Sequence, residues 1–586
     1  MTTNSINPSE GLASKTGRIQ YVLPAAIVLF TLAIILIPLE TLIEFSFRDG
    51  TPWEPGPLTL ANFVGAYSDW QTYEIFGNTL LLAVASTALS IGVAIMFAFL
   101  TERTDLPYRN VAWALMLIPM AMPGLLFGVS WTILLSPRIG IFNVWMREFV
   151  DLFTVSAEEG PLNIYSVWGM IFLEGLRGVS TTFLIMVGAF RAMDPSLEES
   201  ARTAGGSNFT VFRRVTLPIL TPVILAATVY AFMTHLESLE IPLIIGLPAK
   251  FYVFPTYIYF TTQRYTPPEY GLAAALSIAF IAVSIVLVYI NRRIVGQSGK
   301  FATVTGKGYR PRIIPLGRWR RFFFSIFILY FILTIAAPAM ALLWSSFLPI
   351  PMAPSWKLLD SLTLRNYTEI FSQSDTWEGA WNTLAIGIMA ATLTMLLALN
   401  SAWIIVRMRS KWSGVLDTVT FLPHALPGVV IGVTLIIFCM TPPFNELHLY
   451  GTLAIVVIGM TISYLSFGSR TMTGAMSQIH LEMEEAAMTA GATWRVVMQR
   501  IVLPLLMPAF ISGWIWVATH AFRNFSVPVL LASRENKVLS VILWHTWDDG
   551  DVGQATALGV GLMAVLIVLT AGGRWLVVKV SRQQES

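Results

Sequence analysis

Long apolar stretches separated by short polar segments dominate the pattern of this sequence. Twelve of them reach the roughly 20 residues that a helix needs to cross the hydrocarbon core of a membrane. The pattern therefore predicts an all-α integral membrane protein of about twelve transmembrane helices. The stretches fall into two groups of six, the first near 21–43, 75–100, 111–135, 165–190, 219–244 and 271–291, and the second near 322–347, 380–405, 414–440, 451–470, 505–531 and 554–578.

Composition agrees with this prediction. Of 586 residues, 55% are hydrophobic and 12% charged, with a mean hydropathy of +0.67, whereas soluble domains carry roughly 25% charged residues. The net charge of +3 is small for this length, so we expect no binding to nucleic acid. The single cysteine, Cys439, excludes an intrachain disulfide and any multi-cysteine metal site.

Basic residues set the expected orientation. If the N-terminus is cytoplasmic, 26 Lys and Arg lie in the inner segments and nine in the outer ones, while Arg177 and Arg523 fall within spans. Positive charge collects on the cytoplasmic side, so both termini are predicted to be cytoplasmic. The first apolar run is too long for a signal-peptide core and is interpreted as an uncleaved anchor. The predicted division is a tail at 1–20, a six-span repeat at 21–291, a basic cytoplasmic linker at 292–321, a second repeat at 322–578 and a tail at 579–586.

The two groups of spans are also related in sequence. Asn78-Thr79 recurs as Asn382-Thr383, LANF at Leu60 as LRNY at Leu364, and Met122-Pro123-Gly124 as Leu426-Pro427-Gly428, all at an offset of 304; later matches have an offset of 286 because the first half has a longer outer segment between its third and fourth spans. Six spans per copy is an even number, so both copies share one orientation. Pro123 and Pro427 are expected to kink the third and ninth spans.

The most informative segment follows the fourth span of each copy, on the predicted cytoplasmic side. EESARTAGGSNFTVFRRVTLP at 198–218 aligns without a gap with EEAAMTAGATWRVVMQRIVLP at 484–504. Each segment predicts a short helix with an acidic start and a smooth Ala/Ser surface. A glycine then turns the chain, which re-enters the membrane at Leu-Pro.

These segments resemble the EAA loops of ABC importer permeases, with the pattern E-A-A, three residues, G, nine residues, I-x-L-P. The first copy departs from it at Ser200 and Val215. The resemblance implies the type I importer permease fold (MetI-like) in two tandem six-helix repeats, in a bacterial inner (plasma) membrane, with each loop forming a coupling helix that docks on a cytoplasmic ATPase subunit. The residues so identified are Glu199, Ser200, Ala201, Gly205, Leu217 and Pro218 in one loop, and Glu485, Ala486, Ala487, Gly491, Leu503 and Pro504 in the other.

The sequence contains no G-x-x-x-x-G-K-[ST] phosphate-binding loop. ATP hydrolysis, with its ATP and Mg²⁺, is therefore expected on a separate ABC ATPase, in two copies, and this chain is expected to be a transport subunit without catalytic residues or a cofactor of its own. Capture of substrate is assigned to a separate periplasmic or lipid-anchored binding protein that docks on outer segments such as 136–164 and 348–378.

Ionisable residues within spans are candidates for the translocation pathway, because they are costly in lipid. Two alternatives stay open: a substrate role, or structural ion pairs between Glu174 and Arg177 and between Glu237 and Arg523. His424 is interpreted as a packing or cavity histidine rather than a ligand. The pathway candidates are Glu174, Arg177, His235, Glu237, Glu240, His520, Arg523 and Asn524.

Fused permeases with two EAA loops are most similar to the ferric-iron (Fbp/Sfu-type) branch, which LESLEIPLIIGLP and FLEGL also resemble. Carboxylates and histidines suit a hard cation such as Fe(III), although the spacing of Glu237 and Glu240 specifies no metal. The arginines suit an anion equally well. The alternatives are the same machinery for 2-aminoethylphosphonate, thiamine, a polyamine or sulfate, or a twelve-span secondary transporter, which the duplicated loop disfavours.

Overall fold

The structure, a computed structural model, describes residues 16–150, 158–298, 313–408, 411–533 and 535–585. Within these ranges the first half contains α1 (Thr16–Ser46), α2 (Ala61–Ser68), α3 (Trp70–Arg103), α4 (Arg109–Leu117), α5 (Gly124–Leu135), α6 (Ile141–Val150), α7 (Val167–Ala192), α8 (Pro195–Thr203), α9 (Asn208–Val211), α10 (Leu217–Leu236), α11 (Phe254–Gln263) and α12 (Tyr270–Ser298). One antiparallel hairpin, β1 (Arg48–Thr51) and β2 (Glu54–Leu58), with Arg48 opposite Leu58, interrupts the helices.

The second half repeats this order. Its helices are α13 (Arg320–Phe331), α14 (Ala337–Ser346), α15 (Arg365–Ser372), α16 (Ser374–Arg407), α17 (Lys411–Phe421), α18 (Gly428–Met440), α19 (Leu453–Ser477), α20 (Leu481–Thr489), α21 (Trp494–Val497), α22 (Leu503–Arg523), α23 (Pro528–Leu531), α24 (Leu539–Asp548) and α25 (Val552–Glu585). Helix α6 has no counterpart there: it lies in the outer segment 136–166, which corresponds to the shorter segment 441–452 and accounts for the change of offset.

The predicted all-α membrane architecture is confirmed. Among the described residues, ten helices are long and apolar enough to cross a membrane, and two bent helix pairs raise the number to as many as twelve. The bent pairs, α4–α5 and α17–α18, turn by 99° and 107°. Each turn falls at the proline expected to kink the span, Pro123 or Pro427, whose extended backbone ends one helix and precedes the next.

The fifth and eleventh spans differ from their predicted bounds. They begin before the Leu-Pro pairs, as continuous apolar stretches over Asn208–Leu236 and Trp494–Arg523. A π-helical turn, Phe212–Thr216 or Met498–Val502, precedes each Leu-Pro, and such a widened turn accommodates a proline that offers no N–H to the helical ladder. The Leu-Pro pairs therefore lie inside a helix that has already begun, and membrane entry at Pro218 and Pro504 stays a prediction. The same helices end at Leu236 and Arg523, before the predicted residues 244 and 531, so the polar residues that follow leave the helix.

The Asn-Thr pairs hold the outer helices in place in both halves. Thr79 Oγ1 accepts a hydrogen bond from the N–H of Phe254, the first residue of α11, at 2.8 Å. Thr383 Oγ1 accepts from the N–H of Leu539, the first residue of α24, at 3.0 Å. A helix start leaves its N–H groups without partners inside the helix, so these repeated motifs are explained by structure rather than by transport.

The first helix of each half packs against helices of the other half, so the two first helices are exchanged between the halves. Helix α1 packs on α16, α17 and α18, while α13 packs on α4 and α14 on α5. The core contacts follow this pattern: Ile34 and Ile35 are buried with Leu397 and Leu465, and the ring centroid of Phe327 lies 4.3 Å from that of Phe97.

The predicted domain boundaries stay a prediction, because α1, α13 and α14 each pack against helices on the other side of the predicted boundary. Residues 1–15 of the N-terminal tail and 299–312 of the linker lie outside the described residues. At the end of the linker, Ile314 donates its N–H to the carbonyl of Arg103 at 2.9 Å. Helix α25 continues through most of the tail predicted at 579–586.

Candidate functional site

Residues 198–218 and 484–504 form two equivalent surface loops, here called the coupling loops. Each begins in a short helix, α8 or α20, which ends at a glycine with left-handed backbone, Gly205 at φ +88° or Gly491 at φ +91°. In both loops the residue after the glycine donates its N–H, at 3.0 Å, to a carbonyl of the preceding helix. Glycine is the residue that adopts this conformation without strain, so the sequence folds both loops in the same way.

The residues predicted for these loops lie at the surface. Apolar side chains of the same loops are exposed beside them, among them Phe209 and Met488. The structure therefore presents each predicted set on a face that a partner could cover, although its coupling role stays a prediction. All are exposed or half-exposed: Glu199, Ser200, Ala201, Gly205, Leu217, Pro218, Glu485, Ala486, Ala487, Gly491, Leu503 and Pro504.

The acidic residue before each predicted glutamate points inward instead. Glu198 is buried, with its Oε2 3.3 Å from Arg103 Nε and its Oε1 accepting from Thr216 Oγ1 at 2.7 Å. Glu484 is likewise buried and accepts a 2.7 Å hydrogen bond from Arg407 Nε. The two acidic residues of each loop thus divide: one ties the helix to the membrane domain, and the other stays at the surface.

Arg103 and Arg407 each also donate a hydrogen bond to a backbone carbonyl. Arg103 donates from Nη2 to the carbonyl of Phe190 at 2.9 Å, and Arg407 donates from Nη2 to that of Ile479 at 2.9 Å. Carbonyls at helix ends need such donors. Each guanidinium therefore joins three elements: the end of α3 or α16, the end of the next long helix, and the coupling loop. Sequence reasoning missed both arginines; the available signal was an arginine at the end of the second span in each copy, at the offset of 304.

A second polar cluster surrounds Arg177 on α7. Its Nη1 donates to Glu240 Oε2 at 2.7 Å, and its Nη2 lies 3.5 Å from Glu174 Oε2. Glu174, which is fully buried, also accepts a short hydrogen bond from Ser238 Oγ and lies 3.5 Å from His235 Nδ1. The sequence-predicted pair of Glu174 and Arg177 is present, and Glu240 joins it from across the chain.

The backbone at Gly124 makes room for this cluster. A Cβ at Gly124 would lie 1.7 Å from Glu240 Oε2 and 2.1 Å from Arg177 Nη1. Gly124 is also the first residue of α5, and the positive end of a helix dipole favours a carboxylate. The recurring Met-Pro-Gly motif in the first half therefore breaks a helix and admits a charged pair beside the new helix start.

The second half places its polar residues differently. Arg523, at the end of α22, donates from Nη1 to the carbonyl of Met120 in the other half. Asn524 donates from Nδ2 to the Tyr464 hydroxyl at 2.8 Å, and this hydroxyl donates to the carbonyl of His520 at 3.1 Å. These contacts form a hydrogen-bonded network rather than an ion pair.

The suggested ion pair between Glu237 and Arg523 is wrong. Among the described residues, no salt bridge joins them, because Glu237 lies just beyond the end of α10 whereas Arg523 is still the last residue of α22 and reaches Met120. Equivalent sequence positions consequently do not face each other here. Of the eight pathway candidates, Glu237 lines the cavity described next, and the other seven do not.

A cavity of about 320 Å³ lies between the two halves. Helices α10 and α12 of the first half form one wall, and α19, α22 and the segment after α17 form the other. His424 lies in this wall, in agreement with its interpretation as a cavity histidine. The rings that line the cavity are Tyr230, Phe280, Phe421, His424, Tyr464, Phe467 and Trp516.

Charge near this cavity is unevenly balanced. Its lining carries one carboxylate, Glu237, and one guanidinium group, Arg470, which is paired with Asp417 outside the lining, so one negative charge is in excess. In the described ranges, no group of three or more His, Cys, Asp or Glu side chains is placed to hold a metal ion. The described residues thus offer no complete ligand set for a bare metal.

Comparison with known proteins places these features in context. The model of the family "Binding-protein-dependent transport system inner membrane component" matches residues 90–296 and 385–583, one match in each half. The ferric transport system permease protein FbpB of Actinobacillus pleuropneumoniae is 26% identical over 540 residues, covering 89% of this chain and 75% of that protein. The Fe(3+)-transport system permease protein FbpB 2 of Haemophilus influenzae is 24% identical over 553 residues, covering 92% and 96%.

Among solved structures, a similar chain belongs to a bacterial ABC transporter involved in the import of the acidic polysaccharide alginate. It is 19% identical, covers 45% of this chain and 96% of its own length, and superposes with a TM-score of 0.38.

Proposed function

This chain belongs to the family of binding-protein-dependent transport system inner membrane components, and we propose that it is the permease subunit that carries ferric iron across a bacterial inner membrane. ATP would be hydrolysed on a separate ATPase subunit, which also holds the ATP and Mg²⁺. The permease itself would supply the pathway and no catalytic group or cofactor.

The two coupling loops support the ATP-driven part of this proposal. They are equivalent in fold, since the short helix of each ends at a left-handed glycine. Each is joined to a long membrane helix by an arginine, buried Arg103 in one and half-buried Arg407 in the other. A pair of identical docking sites suits a pair of ATPase subunits. Movement of an ATPase subunit would then be transmitted directly to α3 and α16, because the ion pairs Arg103–Glu198 and Arg407–Glu484 hold each loop close to its helix.

The excess negative charge supports a cation as cargo. Glu237 opens into the cavity between the halves, and hard carboxylate oxygens suit Fe(III). The two FbpB relatives are named for ferric transport. Sulfate or 2-aminoethylphosphonate would instead need an excess of positive charge at the same place, and thiamine or a polyamine remains the cationic alternative.

The proposal also includes orientation and partners. Both termini would be cytoplasmic, because the coupling loops then face the ATPase. A periplasmic or lipid-anchored binding protein would deliver the cargo to the opposite side, at outer segments such as 136–164 and 348–378. Exposed apolar side chains there, including Trp145 and Trp356, give that surface contact area.

Uptake into proteoliposomes tests the proposal. The permease, its ATPase and its binding protein would be reconstituted together, and radiolabelled Fe(III) uptake measured with ATP. We expect uptake to require ATP and to stop when the ATPase carries an inactivating substitution in its phosphate-binding loop.

Two controls separate the alternatives. Labelled thiamine, spermidine, sulfate and 2-aminoethylphosphonate are tested in the same vesicles, and ATP-dependent uptake of one of these in place of iron would replace the cargo. Uptake that persists without the ATPase would instead identify a secondary transporter and overturn the proposal.

A further inference from the structure

The cavity between the halves has walls of aromatic rings. The rings of Tyr230 and His424 stack with centroids 6.2 Å apart and an interplanar angle of 16°. Trp516 stacks on Phe467 at 3.6 Å and on His520 at 3.7 Å. The first pair bridges the two halves, so the halves build this wall together. Both faces of Trp516 are thus covered by other rings, so a cation would be bound by Tyr230 and His424, because ring faces attract a cation that has shed part of its hydration shell.

One carboxylate gives this wall its net charge. Glu237 is exposed to the cavity, and in the part of the chain that the structure describes no hydrogen bond or ion pair reaches its side chain. Arg470 also lines the cavity, but its guanidinium is paired with Asp417 at 2.9 Å and lies 4.6 Å from the centre of the Phe421 ring. The positive charge of Arg470 is therefore already balanced. Arg177 attracts Glu237 from a longer distance, but Arg177 is itself paired with Glu174 and Glu240, so the negative charge of Glu237 is in excess.

Size and ligand supply exclude a bare metal ion as the natural occupant. A cavity of about 320 Å³ has room for several waters, since each takes roughly 30 Å³ in the liquid. No second acidic side chain lines this wall beside Glu237. A bare ion would therefore stay hydrated and gain only one carboxylate ligand from the protein, whereas a larger cation fills the space with atoms of its own and needs only one charge neutralised.

We propose that this cavity is a binding site for a large, weakly hydrated cation, held by the aromatic faces and counterbalanced by Glu237. Two sources supply that chemistry: an organic cation with a quaternary or protonated nitrogen, or a metal ion enclosed by ligands that it brings along. The proposal rests on the proposed function, because it identifies the form in which the cargo would cross between the halves.

Calorimetric titration of the full-length permease in lipid nanodiscs tests the site. The probes are tetraethylammonium, the cationic chelate tris(ethylenediamine)cobalt(III), the unchelated hard cation La(III), which stays soluble near neutral pH, and sulfate. We expect at least one of the first two to bind. Glu237→Gln should weaken that binding by at least about tenfold, and Tyr230→Leu by roughly two- to tenfold. Glu237→Asp should retain most of the affinity, because it keeps the charge.

A matched control is Glu369→Gln, which removes an exposed carboxylate paired with Arg365 at the outer surface and should leave binding unchanged.

Binding of tetraethylammonium alone would identify an organic cation, and binding of the chelate alone would identify a ligated metal. Binding of unchelated La(III) or of sulfate that depends on Glu237, or equal binding of the organic cation or chelate in Glu237→Gln, would overturn the site. If no probe binds while ATP-dependent iron uptake persists, the site is wrong and the proposed function stands; uptake without the ATPase contradicts the function instead.

Discussion

At the scale of single residues, a missing side chain sets the geometry of the Arg177 cluster. The space that a Cβ of Gly124 would fill is occupied by the ends of Glu240 and Arg177. These ends are flexible, so an alanine would fit only by moving them apart. The glycine is therefore needed for the ion pair more than for the helix.

We expect Gly124→Ala to lower ATP-dependent uptake by roughly tenfold, the effect of about 1.4 kcal/mol, with little loss of folded protein. The matched control is Gly188→Ala on α7, where a Cβ meets nothing within 4 Å. Initial uptake rates at equal reconstitution, with melting temperatures of both variants, check this. Unchanged uptake in Gly124→Ala would show that the exact position of the Arg177 pair is unimportant.

Sequence reasoning went part of the way at this scale. The spacing of Glu174 and Arg177 on one helix predicts their contact, because residues three apart share a face. Glu240 joins the same arginine from 63 residues away, and nothing in local spacing indicates it. The pairing of Glu237 with Arg523 failed because repeat symmetry fixes equivalence along the chain but not where each helix ends.

At the scale of elements, the coupling loops divide their acidic residues between anchor and surface. Glu485 is exposed and Glu199 half-exposed. We expect the double reversal Glu199→Lys and Glu485→Lys to abolish transport while the protein remains inserted, because like charges would repel the basic residues of a docking groove or leave its polar groups unpaired. Co-purification of the ATPase and substrate-stimulated ATP turnover measure this. If both survived, the coupling assignment would be wrong.

The anchor itself carries a separate prediction. Arg407→Gln leaves Glu484 buried without its charged partner, and breaking such a pair costs about 3–5 kcal/mol locally. We expect the ATPase still to bind, since the outer face of α20 is intact, but each transport event to consume several times more ATP. Arg365→Gln, which removes an exposed ion pair on another helix, is the control and should leave the ratio of ATP hydrolysed to substrate moved unchanged. A normal ratio in Arg407→Gln would mean that the ion pair between Arg407 and Glu484 does not transmit movement from the coupling loop to α16.

Elements were predicted best where composition alone decides. Apolar stretches of spanning length correspond to long helices or bent pairs, and the prolines at 123 and 427 mark the two bends. The π-helical turns before Leu217 and Leu503 escaped prediction, because Leu-Pro is equally compatible with a turn or with a helix that widens around it. The two anchoring arginines escaped because a charge at the end of a span also suits the membrane surface.

At the scale of the whole molecule, the exchanged first helices hold the two halves together. A polar contact also joins the halves at the end away from the coupling loops. Arg264, at the end of α11, is paired with Asp548, at the end of α24. Burial lowers the pKa of the Arg264 guanidinium, but hydrogen bonding to Asp548 raises it above its ordinary value, so the guanidinium stays charged at any physiological pH. Gln263 donates to the carbonyl of Leu530 beside it, at 3.4 Å.

If ATP binding draws the coupling loops together and rocks the halves, this outer contact must open. We expect spin labels at Arg264→Cys and Asp548→Cys, in a Cys439→Ala background, to report a short distance in the resting complex and one several ångströms longer when the ATPase is trapped with ATP. Labels at Trp356 and Trp377, two exposed positions within the second half, provide the control and should keep one distance in both states. Because Cys439 is the only native cysteine, the labels report these positions alone. An outer distance that ignores the nucleotide would mean that the halves do not rock about the cavity, and that cargo leaves by another route.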